Sequence, residues 1–275
     1  MKYQILSDEI RVYSKDQFNI EHILECGQTF CFEKQDDFYV AFPQNKIAKI
    51  HDNGEFYSIL TSDVDYFKNW FDLDNDYSKI KSKLSKFEIM KNPIEFGYGI
   101  RILNQDKFET IISFIISANN NIKRISLILN RLRRLLGEKI DENYYSFPSL
   151  DKMLTKDEHF YKEIGAGYRA KYLEKVCKQL SQVDLHEWGK LDTKSLRNKL
   201  ISLAGVGPKV ADCILLFGFG RQDVFPVDTW IHQMYNKYYD NCQNRNLIRE
   251  DLVKEFGKMS GYAQQYLFYF QRSKK

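Results

Sequence analysis

The sequence lacks long apolar runs, is sparing with proline and cysteine, and carries almost no excess of charge of either sign. No stretch of its 275 residues approaches the roughly 18 consecutive apolar residues that a membrane-crossing helix needs. Residues 1–19 carry charges where a secretion signal would place its apolar stretch. A cytoplasmic location is therefore expected, nucleoid-associated in a prokaryote or nuclear in a eukaryote. The five cysteines, Cys26, Cys31, Cys177, Cys213 and Cys242, are odd in number and show no CxxC spacing, so zinc, an iron–sulfur cluster and a redox dithiol have no signature here. Reduced thiols, no metal and no cofactor are expected. With 41 Lys plus Arg against 37 Asp plus Glu the net charge is only +4, so any surface for a polyanion has to come from clustering of cations, not from bulk charge.

What the chain does have is a large apolar and aromatic share, 43% and 15%, ample for a core. Over residues 1–60, short alternating or aromatic runs such as Phe30-Cys31-Phe32, Phe38-Tyr39-Val40 and Lys46 to Ile50 alternate with polar turns such as Asp52-Asn53-Gly54. This spacing predicts an antiparallel sheet. From Asp63 the period becomes helical, most clearly at Ile122, Ile125, Leu129, Leu132 and Leu136, with Gly137 as the stop. Pro93, Gly97 and Gly99 precede a helical tract that begins near Asp106 and mark the break. The expected fold class is α+β, with a small β-rich N-terminal domain over 1–95 and a larger helical domain over 96–275.

Within the helical part, Leu203-Ala204-Gly205-Val206-Gly207-Pro208-Lys209-Val210-Ala211 separates two amphipathic segments, Thr193 to Leu203 and Val210 to Phe217. Two glycines around Val206 permit a tight turn with positive φ and leave amides uncovered at the next helix start. Such amides, at Gly205, Gly207 and Val210, can hold a phosphate without any side chain. Lys209 opposes the helix dipole in the first turn, at about 0.3–1 kcal/mol, and the same field is expected to lower its pKa. It serves either as a nucleophilic amine or as a phosphate contact. In Phe225-Pro226-Val227-Asp228-Thr229-Trp230, Pro226 fixes the approach and Asp228 is placed to cap a helix running to Tyr239. Asp228 either only caps or also stabilises a developing sugar cation.

Together with Gly27-Gln28-Thr29-Phe30, Asn104-Gln105-Asp106, Ser117 to Ile122, Gly167-Tyr168-Arg169-Ala170 and Ala263-Gln264 to Phe268, these segments resemble, in order and over nearly the whole chain, the 8-oxoguanine DNA glycosylase/AP lyase family of the helix-hairpin-helix superfamily. The resemblance implies that Lys209 attacks the sugar C1′, displaces the oxidised base and forms a Schiff base that collapses by β-elimination, with Asp228 assisting. It implies a monomer acting on double-stranded DNA that contains 8-oxoguanine, with the target nucleotide extruded. Asn119 would fill the vacated space and Tyr168 would wedge the opposite strand. Cys213 and Phe268 would flank the purine, Pro226 would contribute to the base site, Gln264 would read the Watson–Crick edge, and the Gly27 carbonyl would accept the N7 proton that guanine lacks.

Arg124 and Arg169 match positions that recognise the opposite cytosine, although Arg124 can equally share a phosphate-facing or solvated helix side with Arg131, Arg133 and Arg134. One departure is Trp230, a DNA-contact position where a member of the family carries histidine; an indole N–H donates but does not titrate. The competing readings are a monofunctional alkyl-purine glycosylase using Asp228 and water, and a helix-hairpin-helix module that binds DNA without catalysis. Lys209 argues against the first. The lysine/aspartate pair and the purine-site residues argue against the second.

Overall fold

A computed structural model describes residues 1–274. Six strands, β1 (Tyr3–Ile5), β2 (Glu9–Val12), β3 (Phe32–Lys34), β4 (Phe38–Ala41), β5 (Ala48–Asp52) and β6 (Tyr57–Leu60), form one sheet in the order β1-β2-β6-β5-β4-β3. Beyond Leu60 the regular structure is helical, as the change of period predicts. Among the described residues no helix is long and apolar enough to cross a membrane. By compactness the chain divides into two units, each made of discontinuous stretches.

The first unit comprises Met1–Thr29, Ile50–Asn104 and the chain from Gly220 onward. Its β1, β2 and β6 are antiparallel, with Val12 opposite both Tyr3 and Tyr57. Alternation along β2 buries Ile10 and Val12, while Glu9 accepts hydrogen bonds from Arg11 at 2.9 Å and Ser58 at 2.6 Å. Arg101 is fully buried. Its guanidinium donates to the carbonyls of Phe71, Asp72, Asn75 and Gln17 and lies 4.0 Å from the Tyr77 ring centroid, so carbonyl dipoles and an aromatic face replace its hydration. The C-terminal helix Ser260–Ser273 packs its Ala263, Tyr266 and Leu267 into a core with Ile231 and Met234 of Thr229–Tyr238 and Leu252 and Phe256 of Arg245–Phe256.

The second unit comprises Phe30–Lys49 and Gln105–Phe219. Here β3 and β4 pair as a hairpin with Phe32 opposite Ala41. The helix Lys107–Ser117 is capped by Asp106, and Ile122–Leu136 ends at Gly137, both where the sequence signals fall. Phe114 stacks on Phe217 at 5.5 Å between ring centroids. Arg133 is buried in an ion pair with Glu109, whose carboxylate also accepts from the Gln44 amide, and its guanidinium lies against Phe42 and Phe147. The expected cationic side of the Ile122–Leu136 helix therefore does not include Arg133, because a cation aimed inward requires a buried anion and this one has it.

Candidate functional site

In the second unit the hairpin joins Thr193–Ile201 to Pro208–Gly218. Only one of its glycines uses positive φ. Gly205 lies at φ +82°, and a Cβ there would meet Tyr172 Cβ at 2.9 Å and Ile115 Cγ2 at 3.1 Å, so glycine is required on two counts. Gly207, at φ −87°, is the helix N-cap, and a Cβ there would meet nothing within 4 Å. Its role is to be a cap without a side chain: most long helices of this unit are capped by Asp or Asn, whereas no side chain caps Pro208–Gly218. The first intrahelical bond runs from the Ala211 amide to the Gly207 carbonyl, so the Val210 amide precedes the helix ladder, and Pro208 occupies the one early position where a missing N–H is harmless.

Two further contacts fix the hairpin, and sequence reading missed both. Asp212, 1% exposed, accepts from Arg197 Nε at 2.7 Å and Nη2 at 3.2 Å, strapping the second helix to the first. Gln179 accepts from the Ala204 amide at 2.8 Å and donates to the Ser202 carbonyl. The signal for the first was available as opposite charges on the two predicted helices; nothing in the sequence indicates the second. Lys209 is half-buried at the second helical position, its Nζ 5.7 Å from the Phe114 ring centroid. Cys213, one turn further, is buried.

On the same unit Asn119 is exposed with φ +50°. The cap of the Ile122–Leu136 helix is Asn121, which accepts from the Arg124 amide at 2.9 Å, so capping does not account for Asn119. Arg169, 3% exposed, donates through Nη2 to the Asn119 carbonyl at 2.7 Å and through Nε to the Ala118 carbonyl at 2.8 Å. Tyr168 stands 57% exposed, with its hydroxyl donating to the Ala118 carbonyl at 3.1 Å and its ring beneath the Arg169 guanidinium. Core packing therefore does not account for Tyr168. Arg124 is exposed and donates to the Gly165 carbonyl at 3.3 Å.

In the first unit Asp228 is the N-cap of Thr229–Tyr238 and accepts from the Ile231 amide at 2.9 Å; Pro226 before it is buried and Trp230 after it is half-buried. Gly27 lies at φ +82°. Its neighbours are pinned: the Glu25 carbonyl accepts from Arg272 and the Cys26 carbonyl from Gln265 at 2.9 Å, while Gln28 donates to the Ile23 and Arg101 carbonyls and accepts from the Leu103 amide. Burial pushes the Cys26 thiol up to about 11, so it stays protonated and donates to the Ile23 carbonyl. A Cβ on Gly27 would meet Arg272 Nη1 at 2.9 Å and Phe268 Cε1 at 3.2 Å. Gln264, 5% exposed, has a buried Oε1 with no hydrogen-bond partner, and so does Arg272 Nη1. The structure thus brings Phe268 against Gly27, with Gln264 one turn earlier on the same helix, and adds Arg272. Its sequence signal is the fourfold spacing 264, 268, 272, which puts all three on one side of a helix.

Comparison with known proteins sets these arrangements in a family. A model described as 8-oxoguanine DNA glycosylase, N-terminal domain, matches residues 10–111, and one described as HhH-GPD superfamily base excision DNA repair protein matches residues 112–258. A probable N-glycosylase/DNA lyase of Methanothermobacter thermautotrophicus is 32% identical over 236 residues, 76% of this chain and 74% of its own length. The N-glycosylase/DNA lyase of Saccharomyces cerevisiae is 32% identical over 62% of this chain and 56% of its own. The crystal structure of a Clostridium acetobutylicum 8-oxoguanine glycosylase/lyase, in complex with dsDNA containing cytosine opposite to 8-oxoG, superposes with a TM-score of 0.94 at 35% identity, covering 100% of this chain and 98% of that one.

Proposed function

Because the chain belongs to the 8-oxoguanine DNA glycosylase/AP lyase family of the helix-hairpin-helix superfamily, we propose that Lys209 is its nucleophile and Asp228 the carboxylate that supports it. The protein is a DNA N-glycosylase with AP lyase activity, acting in base excision repair on double-stranded DNA that contains 8-oxoguanine.

The observation that carries the assignment is the position of Lys209: half-buried at the start of an uncapped helix whose early amides are oriented for a phosphate. The neutral amine attacks C1′ of the extruded nucleotide. The C1′–N9 electron pair leaves with the base, which takes up a proton, and the Asp228 carboxylate offsets the positive charge that develops on the sugar. Ring opening gives a Schiff base between Lys209 Nζ and C1′. Loss of a C2′ proton then breaks the C3′–O bond and expels the 3′ phosphate, and water releases the lysine.

Around this step, Gln264, Phe268, Cys213 and Pro226 contact the base and the Gly27 carbonyl accepts the N7 proton. Asn119 and Tyr168 contact the DNA where the nucleotide has left the stack. Arg124 and Arg169 face the opposite base, Arg169 from a guanidinium already anchored on the Asn119 turn. Gly205, Gly207 and Val210 receive phosphate through the backbone, and Trp230 lends its indole N–H to a neighbouring phosphate. Borohydride trapping tests the nucleophile. Wild-type protein with an 8-oxoguanine duplex yields a covalent adduct and Lys209→Gln yields none; an adduct from Lys209→Gln, or none from wild-type protein that binds and excises, overturns the assignment.

A further inference from the structure

We propose that Arg272 is a third base-reading residue, donating from Nη1 to the C8 carbonyl oxygen that oxidation adds to guanine; this rests on the reading in which Gly27 accepts the N7 proton and Gln264 reads the Watson–Crick edge.

Three observations converge on it. Gln264, Phe268 and Arg272 lie at positions i, i+4 and i+8 of Ser260–Ser273 and so share one helix face, the face that carries the base-contacting residues. Arg272 is divided in its bonding: Nη2 donates to the Glu25 carbonyl, while Nη1 is buried without a hydrogen-bond partner. Buried polar atoms in folded proteins nearly always have partners, and a cationic donor without one, beside a ligand site, marks where a ligand acceptor goes. Nη1 also lies against Gly27, 2.9 Å from where a Cβ would stand, with the guanidinium 5.3 Å from the Phe268 ring centroid.

Geometry selects the acceptor. Eight residues of helix separate Gln264 and Arg272 by about 12 Å, with Phe268 midway. A purine lying on Phe268 with its Watson–Crick edge toward Gln264 turns its five-membered ring toward Arg272. The two carbonyls flanking N7–H then fall on opposite sides: O6 toward Gln264, and O8 toward Arg272. In undamaged guanine the same place holds C8–H, which gives a guanidinium nothing to donate to. Gly27 senses the proton that oxidation adds at N7, and Arg272 senses the oxygen added at C8. Discrimination thus comes from both new polar groups instead of one.

The test measures affinity for two duplexes that cannot be cut. One carries 2′-fluoro-8-oxoguanosine, which has N7–H and O8; the other carries 9-deazaguanine, which has N7–H but no O8. Arg272→Leu is expected to weaken binding of the first roughly ten- to a hundredfold, the range of a hydrogen bond from a charged donor, and to leave the second within about twofold of wild type. Equal weakening of both would reduce Arg272 to a brace for the Gly27 turn, and unchanged binding of the first would remove it from recognition; either overturns the proposal. Arg272→Lys decides the matter if the leucine variant fails to fold. One ammonium serves either the Glu25 carbonyl or O8, so a smaller loss, again confined to the 8-oxoguanine duplex, is expected, and a non-selective loss overturns. The wild-type protein tests the underlying reading separately: it should bind the 9-deazaguanine duplex more tightly than a guanine duplex, and failure there rejects the Gly27 role whatever the Arg272 variants do.

Discussion

The hairpin turn at Gly205 and the turn at Gly27 share a backbone solution, a glycine at φ +82° packed where no side chain fits, yet they are held in opposite ways. The hairpin is local. Its two helices are consecutive, its strap is the Arg197–Asp212 pair fifteen residues apart, and its exposed groups are amides that suit any phosphate. The Gly27 turn is assembled from the two ends of the chain: the carbonyls of Glu25 and Cys26 are bound by Arg272 and Gln265, 247 and 239 residues away. On the proposed reading, the local motif serves a grip that does not depend on the base, and the long-range one serves the sensing of a single proton. Affinity for DNA and choice of base would then have separate structural supports in this protein.

That separation can be broken at several strengths. Removing the hairpin's strap has the largest expected effect. Arg197→Met takes the cation from a carboxylate that is 1% exposed, at about 3–5 kcal/mol of stability measured by denaturant unfolding. The double variant Arg197→Met/Asp212→Leu should recover most of that loss, since an apolar pair of similar volume replaces the ions; no recovery would mean that the pair does more than strap.

Next in size is Asp228→Asn, which separates capping from charge. Asparagine caps as well as aspartate, so melting should shift little, while single-turnover excision should fall about 10²–10³-fold, as for loss of one electrostatic stabiliser. Parallel loss of stability and rate would return Asp228 to the role of a cap. The glycines give the smallest and sharpest contrast. Gly205→Ala forces a left-handed alanine against Tyr172, at about 1–2 kcal/mol or more, and should weaken damaged and undamaged duplexes alike. Gly207→Ala, with open space and ordinary φ, should alter stability by about 0.5 kcal/mol. Gly27→Ala should instead weaken 8-oxoguanine selectively, and a uniform loss there would erase the proposed division between grip and choice.

Some of this was legible in advance because its causes are local. The change from period two to period 3.6 near Asp63, the helix start near Asp106, the cap at Asp228 and the stop at Gly137 follow from propensities and hydrogen-bonding needs of adjacent residues, and the structure has each of them. The hairpin was legible for the same reason. Two expectations differ from the structure: Arg133 reads as a surface cation and is buried on Glu109, and Gly207 reads as a second positive-φ position and serves as a bare, exposed cap. Spacing along a chain reports a residue's direction from its helix, and not what lies there to meet it.

The elements, the hairpin with its lysine, and the family to which that ordered set of motifs belongs follow from the order of residues alone, because backbone preference and motif order are properties of contiguous residues. That Arg169 braces the Asn119 turn, that the compact units draw on discontinuous stretches, and that Arg272 sits against Gly27 with one donor bound and one unpartnered emerge only from the fold. These depend on which distant carbonyl or ring comes within hydrogen-bonding or van der Waals reach, and that is fixed by packing, which no local pattern encodes.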